Sequence, residues 1–269
     1  MSVPPPSSLP SGSSAGSSNT ADANNAQMQN DVNQWYADSQ KISIDESAFY
    51  AALAQMNELA AEGKTDLALM YLFTSVFPAM LSFQEDTITL LADSQNISSD
   101  LRNFVSCAEN DFNAGGSASP EQMADMYNNV QSLNSWASYL SSDNPGYWSA
   151  GSGAPLSATD AANIEDDCNT IAGVFGTTDW GNPANMSNDV KSWFSEPTSS
   201  DNAIPSQNIK TVQGAFQQAN SAVSSISTTL QSQEQFYIDQ YNQYVGIDNS
   251  MQQSECTQNA AFVNNQKVS

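Results

Sequence analysis

Histidine is absent from this chain and positive charge nearly so: six Lys and Arg stand against 29 Asp and Glu, a formal net charge of −23 over 269 residues. Without an imidazole, Ser-His-Asp and Cys-His catalysis are excluded, as are His-containing zinc sites. The bases Lys41, Lys64, Arg102, Lys191, Lys210 and Lys267 are scattered. Phosphate binding needs such groups clustered, so neither nucleic acid nor an anionic membrane surface is an expected partner. The cysteines Cys107, Cys168 and Cys256 are odd in number and far apart. They spell neither a disulfide framework nor a Cys-x-x-Cys metal site, which leaves packing as their expected role.

Charge of either sign is also sparse, at 13% of residues, and much of the chain is Ser, Asn and Gln. These side chains are expected to solvate the surface without charging it. The acids Glu85-Asp86 and Glu165-Asp166-Asp167 read as solvated helix faces, because adjacent helical positions point apart whereas hydrolytic carboxylates converge across a cleft. No glycine-rich phosphate loop or calcium loop stands out. No cofactor is expected, and the composition supports no enzyme. The opening residues, MSVPPPSSLPSGSSAGSSNTADANN, lack a basic region followed by an apolar one, so no Sec signal is predicted and low-complexity disorder is expected there.

What is present is apolar and periodic. The run LALMYLFTSVFPAMLSF at 67–83 carries no charge. A membrane span needs about twenty apolar residues. This run contains Thr74, Ser75, Pro78 and Ser82 and has no basic flank after it, so a span is not the expected reading. A helix apolar nearly all round is otherwise buried on several sides. Before it, Phe49, Leu53, Met56, Leu59 and Ala60 mark one helical face, which Gly63 ends. Thr65-Asp66 offers an N-cap for a second helix reaching about Cys107, with a kink or break expected at Pro78.

A third helical pattern, from Met123 to Leu140, starts at Ser119-Pro120. Residues 141–208 are rich in Gly, Pro, Asn and Ser and read as a loop-rich insert with helical windows at about 158–174 and 186–195. Within it Tyr147, Trp148 and Trp180 are either anchors of a small folded insert or candidates for binding a sugar or a host surface. Asn96-Ile97-Ser98 fits a glycosylation sequon, a triplet common by chance.

The C-terminal part steps by sevens through Ile209, Phe216, Val223, Leu230, Tyr237, Tyr244 and Met251, with Val212, Ala219 and Ile226 on the companion positions. Sustained heptads are the coiled-coil signal. A helix from about 206 to 256 would be roughly 75 Å long, too long to pack fully on a small globule. The same pattern also suits a long amphipathic helix in an intramolecular bundle.

Three stretches, LALMYLFTSVFPAMLSFQEDTITLLADSQNISSDL, SNDVKSWFSEP and IKTVQGAFQQANSAVSSISTTLQSQ, resemble the EspA-like family of type III secretion needle-extension filament proteins. The first looks like that family's apolar core helix, the second like its short helix before the last one, and the third like the opening of its C-terminal helix. The resemblance implies a secreted, self-assembling filament subunit that links the needle to the translocation pore. It also implies an unfolded, uncleaved N-terminal export segment and a dedicated secretion chaperone.

The expected fold is therefore mostly α. It has a disordered Ser/Pro-rich segment at 1–40, N-terminal helices at 41–110 including the apolar assembly helix, a variable loop-rich insert at 111–205, and a coiled-coil helix at 206–269. An antiparallel hairpin is expected between the two long helices. Leu69, Leu72, Phe73, Val76 and Phe77 are expected to pack on Ile209, Val212, Phe216, Val223 and Ile226 of the same or adjacent copies, with Leu230, Tyr237 and Tyr244 extending the seam. Expected partners are other copies, the chaperone, the needle and the translocators. Rival readings are a pore-forming translocator subunit and a secreted helical effector or adhesin.

Overall fold

A computed structural model describes residues 20–142, 154–175 and 208–226, together with Thr228, Gln235, Ile238 and Asp239. The described residues are mostly helical and contain no strand. The first helix, α1, runs Thr20–Ala61. It ends at Gly63, whose φ of 77° lies in the left-handed region that glycine enters without a Cβ penalty. Gly63 N–H donates to the Ala60 carbonyl and Lys64 N–H to that of Leu59, each at 3.0 Å. This pair of bonds is the Schellman closure, and it satisfies carbonyls that a helix end would otherwise leave open.

The chain returns antiparallel to α1 as a continuous rod: α2 (Thr65–Tyr71), a π-helical turn (Leu72–Val76) and α3 (Phe77–Asn113). Pro78 has no N–H to donate. The rod accommodates it by widening just before it, where Phe77 N–H donates to Leu72, five residues back. The disturbance expected at Pro78 thus takes the form of a π turn. Thr65 opens α2, but no side chain caps it, so the N-cap expected of Thr65-Asp66 does not form. After a short turn at Gly115–Ser117, α4 (Pro120–Leu140) begins with a capping box. Gln122 N–H donates to Ser119 Oγ at 3.2 Å, and Ser119 N–H donates to Gln122 Oε1 at 2.9 Å. Then follow α5 (Ala158–Phe175) and a helix over residues 208–226, here α6.

These helices form two regions. In the base, the first half of α1 and the second half of α3 meet α4, α5 and α6 around Met28, Trp35, Phe104, Phe112, Trp136 and Phe216. Beyond the base, α1 and the α2–α3 rod continue as a two-helix arm to the tip at Gly63.

Polar side chains join α1 to α4. Asp125 accepts from the Thr20 and Ala21 N–H groups at 3.2 and 3.1 Å and from Thr20 Oγ1 at 2.5 Å, closing the start of α1. Asn24 donates to Asn129, Asn25 to Ser132 and Trp136 Nε1 to Asn25, each at 2.9 Å. Several Asn and Ser side chains expected at the surface are thus helix-to-helix contacts.

Two boundaries need correction. The segment 1–40 is not disordered throughout, because α1 starts at Thr20 and buries Met28, Val32 and Trp35; residues 1–19 lie outside the described residues. The described parts of 111–205 are not a loop-rich exterior, because α4 and α5 supply Trp136, Leu140, Ile164 and Ile171 to the core. The helical window at 186–195 lies outside the described residues.

Candidate assembly surface

The apolar run expected to be buried on several sides is buried on one. Ala68, Val76 and Met80 face α1 at 6%, 3% and 7% exposure, and the Phe49 and Phe83 rings stack at 6.3 Å between the two helices. The remaining sides are open: Leu67, Leu69, Met70, Leu81 and Ile88 are exposed, Met70 at 58%. Ile44 and Tyr50 are exposed on the α1 side of the same arm. Single exposed apolar residues are ordinary, but several along one arm form a surface that water solvates poorly. The stretch Thr65–Asn113 is long and apolar enough to cross a membrane by length and composition, and only 17% of its most apolar window is buried.

The predicted seam residues divide between the regions. Val76 is buried, Leu72, Phe73 and Phe77 are half-buried, and Leu69 is exposed; the Phe73 and Phe77 rings meet edge-on at 5.6 Å. Val212, Phe216, Val223 and Ile226 are buried in the base, with Ile209 packed against its edge. The two sets do not meet within one chain. Phe216 packs on Phe112, ring centroids 5.9 Å apart, Asn220 donates to Glu109 at 2.9 Å, and Ser98 Oγ donates to the Val223 carbonyl at 3.3 Å. The α6 heptads therefore pair antiparallel with the second half of α3, at Ser98 to Phe112, well beyond the apolar run that ends at Phe83. Leu230, Tyr237 and Tyr244, like Tyr147, Trp148 and Trp180, lie outside the described residues.

Some acids also depart from expectation. Asp86 and Asp167 are buried, at 3% and 8% exposure, so neither belongs to a solvated face. Burial, with Asp166 alongside, pushes the Asp167 carboxyl up to about 6. Asp167 and Asp166 line an open groove of about 520 Å³ between α5 and α6 with Gln217, Gln218 and Ser221. Cys168 is buried in the core with its thiol held in the neutral form by burial, in keeping with a packing role. Among the described residues no group of three or more His, Cys, Asp or Glu could hold a metal ion. Comparison with protein-family models, curated proteins and solved structures gives no match.

Proposed function

We propose that this chain is a structural subunit that assembles with copies of itself into an extracellular filament, of the kind that extends a type III secretion needle toward its translocation pore. The observation that carries the assembly reading is the exposed apolar face of the arm, Leu67, Leu69, Met70, Leu81 and Ile88. Two helices cannot cover a helix that is apolar on most sides, and non-closing contacts between identical subunits extend into filaments. The secretion setting, the chaperone and the contacts to needle and translocators rest on the resemblance of the three stretches named above. No catalytic role belongs to this reading.

Part of the cover is assigned to the chain's own C-terminal residues. Helix α6 runs antiparallel to α3 and reaches Ile226 beside the Ser98 turn, directed toward the arm, and Leu230, Tyr237 and Tyr244 continue its heptads. The antiparallel hairpin belongs to this proposal, with neighbouring copies covering the remainder.

The test uses Met70→Asp with Leu81→Asp, both at exposed positions. Wild-type protein is expected to form unbranched filaments of constant width in negative stain as concentration rises, and the double variant to remain monomeric with unchanged circular dichroism. Filaments from the variant at wild-type concentration would remove the arm from the assembly surface. A second reading, a pore-forming translocator, is favoured by the membrane-compatible length and apolarity of Thr65–Asn113. Dye release from liposomes by monomeric wild-type protein would select it.

A further inference from the structure

Asp31, Asp38 and Asp45 recur at every seventh position of α1, and Asp86, Asp93 and Asp100 do the same on α3. Because the helices are antiparallel, the acids meet in order: Asp45 with Asp86, Asp38 with Asp93 and Asp31 with Asp100, each pair within hydrogen-bonding reach. The intervening seam positions are apolar, Trp35, Ile42 and Phe49 on one helix and Leu90, Ile97 and Phe104 on the other. Acid layers and apolar layers thus alternate along one interface, about 10 Å per repeat.

The α3 acids are buried, with Asp86, Asp93 and Asp100 at 3%, 8% and 5% exposure, and one carboxyl oxygen of each lacks a hydrogen-bond partner. Two facing carboxylates have acceptors and no donor. One proton per pair supplies the donor and removes the repulsion.

The surroundings offer little competing charge. Lys41 pairs with Asp86 and so supplies a donor at the layer nearest the arm, leaving the inner two layers to depend on protons. On α1, Gln27 donates to Asp31 at 2.9 Å and Gln34 to Asp38 at 2.6 Å. Trp35 Nε1 donates to Ser94. From α6 the Val223 carbonyl meets Ser98, and the only charged residue in 208–226 is Lys210, at its far end. At the bottom of the base a further acid pair joins α3 to α4, where burial and then Asp125 push Asp111 up to about 6 against the lowering contact of Gln122.

We infer that this carboxyl ladder is a proton-operated latch on the α1–α3 seam: the inner two layers each hold a shared proton when the seam is closed, and releasing those protons loosens it. Burial, followed by Asp31, pushes Asp100 up to about 8, and burial, followed by Asp38, pushes Asp93 up to about 7. The unfolded chain releases these protons near 4. The folded state therefore holds more protons between those limits. The ladder's contribution to stability is complete below about pH 4 and is lost as pH rises through about 7 to 8. That sign is opposite to ordinary acid denaturation. The ladder belongs to the single chain and titrates whether or not copies assemble.

Thermal unfolding of the full chain between pH 5 and pH 8 tests it. The wild-type Tm is expected to fall by about 10–20 °C over that range. Asp93→Asn with Asp100→Asn should flatten most of the fall and raise Tm at pH 8. Glu46→Gln with Glu58→Gln, which removes as many acids from exposed positions, should keep the wild-type slope. A wild-type Tm that is level or rising toward pH 8 overturns the latch, as does equal flattening by the surface pair. Should the Asn variant not fold, carboxyl carbon NMR of the wild type decides: titration of Asp93 and Asp100 above pH 6 supports the latch, and midpoints near 4 overturn it.

Discussion

The base and the arm are made from the same two long helices, yet in the base Phe104, Phe112 and Trp136 are at most 1% exposed while on the arm Met70 and Leu81 stand 58% and 45% exposed. The difference does not lie in hydrophobicity, since the arm holds the most apolar run of the chain. It lies in the number of neighbours. In the base the α1–α3 pair is surrounded by α4, α5 and α6, so each helix finds partners on several sides. Along the arm, among the described residues, each helix has one partner, and whatever the pair cannot cover remains for another surface. In the proposed reading, the base carries the stability of the chain and the open arm face carries its assembly.

Substitutions should reproduce that division. Trp136→Ala leaves a cavity at the centre of the base and removes the donor to Asn25. A loss of about 3–5 kcal/mol in urea unfolding is expected, affecting the arm as well because α1 is shared. Phe216→Asp should be at least as damaging, through a charge buried without a partner, so it reports on folding and not on assembly. Smaller is Asp125→Ala, which opens the start of α1 at a cost of about 1–2 kcal/mol; hydrogen exchange should quicken first in residues near Thr20.

Gly63→Ala forces a Cβ into the left-handed region, with no neighbour within 4 Å to add a clash, and should cost about 1 kcal/mol. Its exchange signature should stay at the tip, leaving the base protected. The least effect on monomer stability, within about 0.5 kcal/mol, is expected from Met70→Ser with Leu81→Ser, and these should nevertheless weaken filament formation most. A pair that lowered Tm as far as Trp136→Ala would show the arm face to be part of the folded core.

The periodic helices were legible in the residues themselves. Phe49, Met56 and Leu59 with Gly63 marked the end of α1, Ser119-Pro120 the start of α4, and the 158–174 window coincides with α5. The start of α1 was not, because Asn24 and Asn25 resemble solvated sequence until their partners are known. Asparagine at a helix interface is a contact only when another helix presents a matching group, and that group lies a hundred residues away at Asn129 and Ser132. The α6 heptads were visible, but a heptad states that a partner exists without saying which. Phe216 meets Phe112 where the pattern alone allowed Phe77. The carboxyl ladder left a signal that composition conceals: Asp31, Asp38 and Asp45 fall in phase with Trp35, Ile42 and Phe49, and an acid that keeps step with an apolar seam belongs to it.

The bond from Asp125 to the start of α1 also bears on the order of events. The first turn of α1 carries a cap encoded more than a hundred positions later, so no part of the chain before Asp125 can supply it. As the chain emerges from synthesis, α1 stays open at its first turn until α3 has doubled back and α4 has arrived. Closing that long loop comes before the reward of the contact. The first turn of α1 is thus sealed only once α4 is in place.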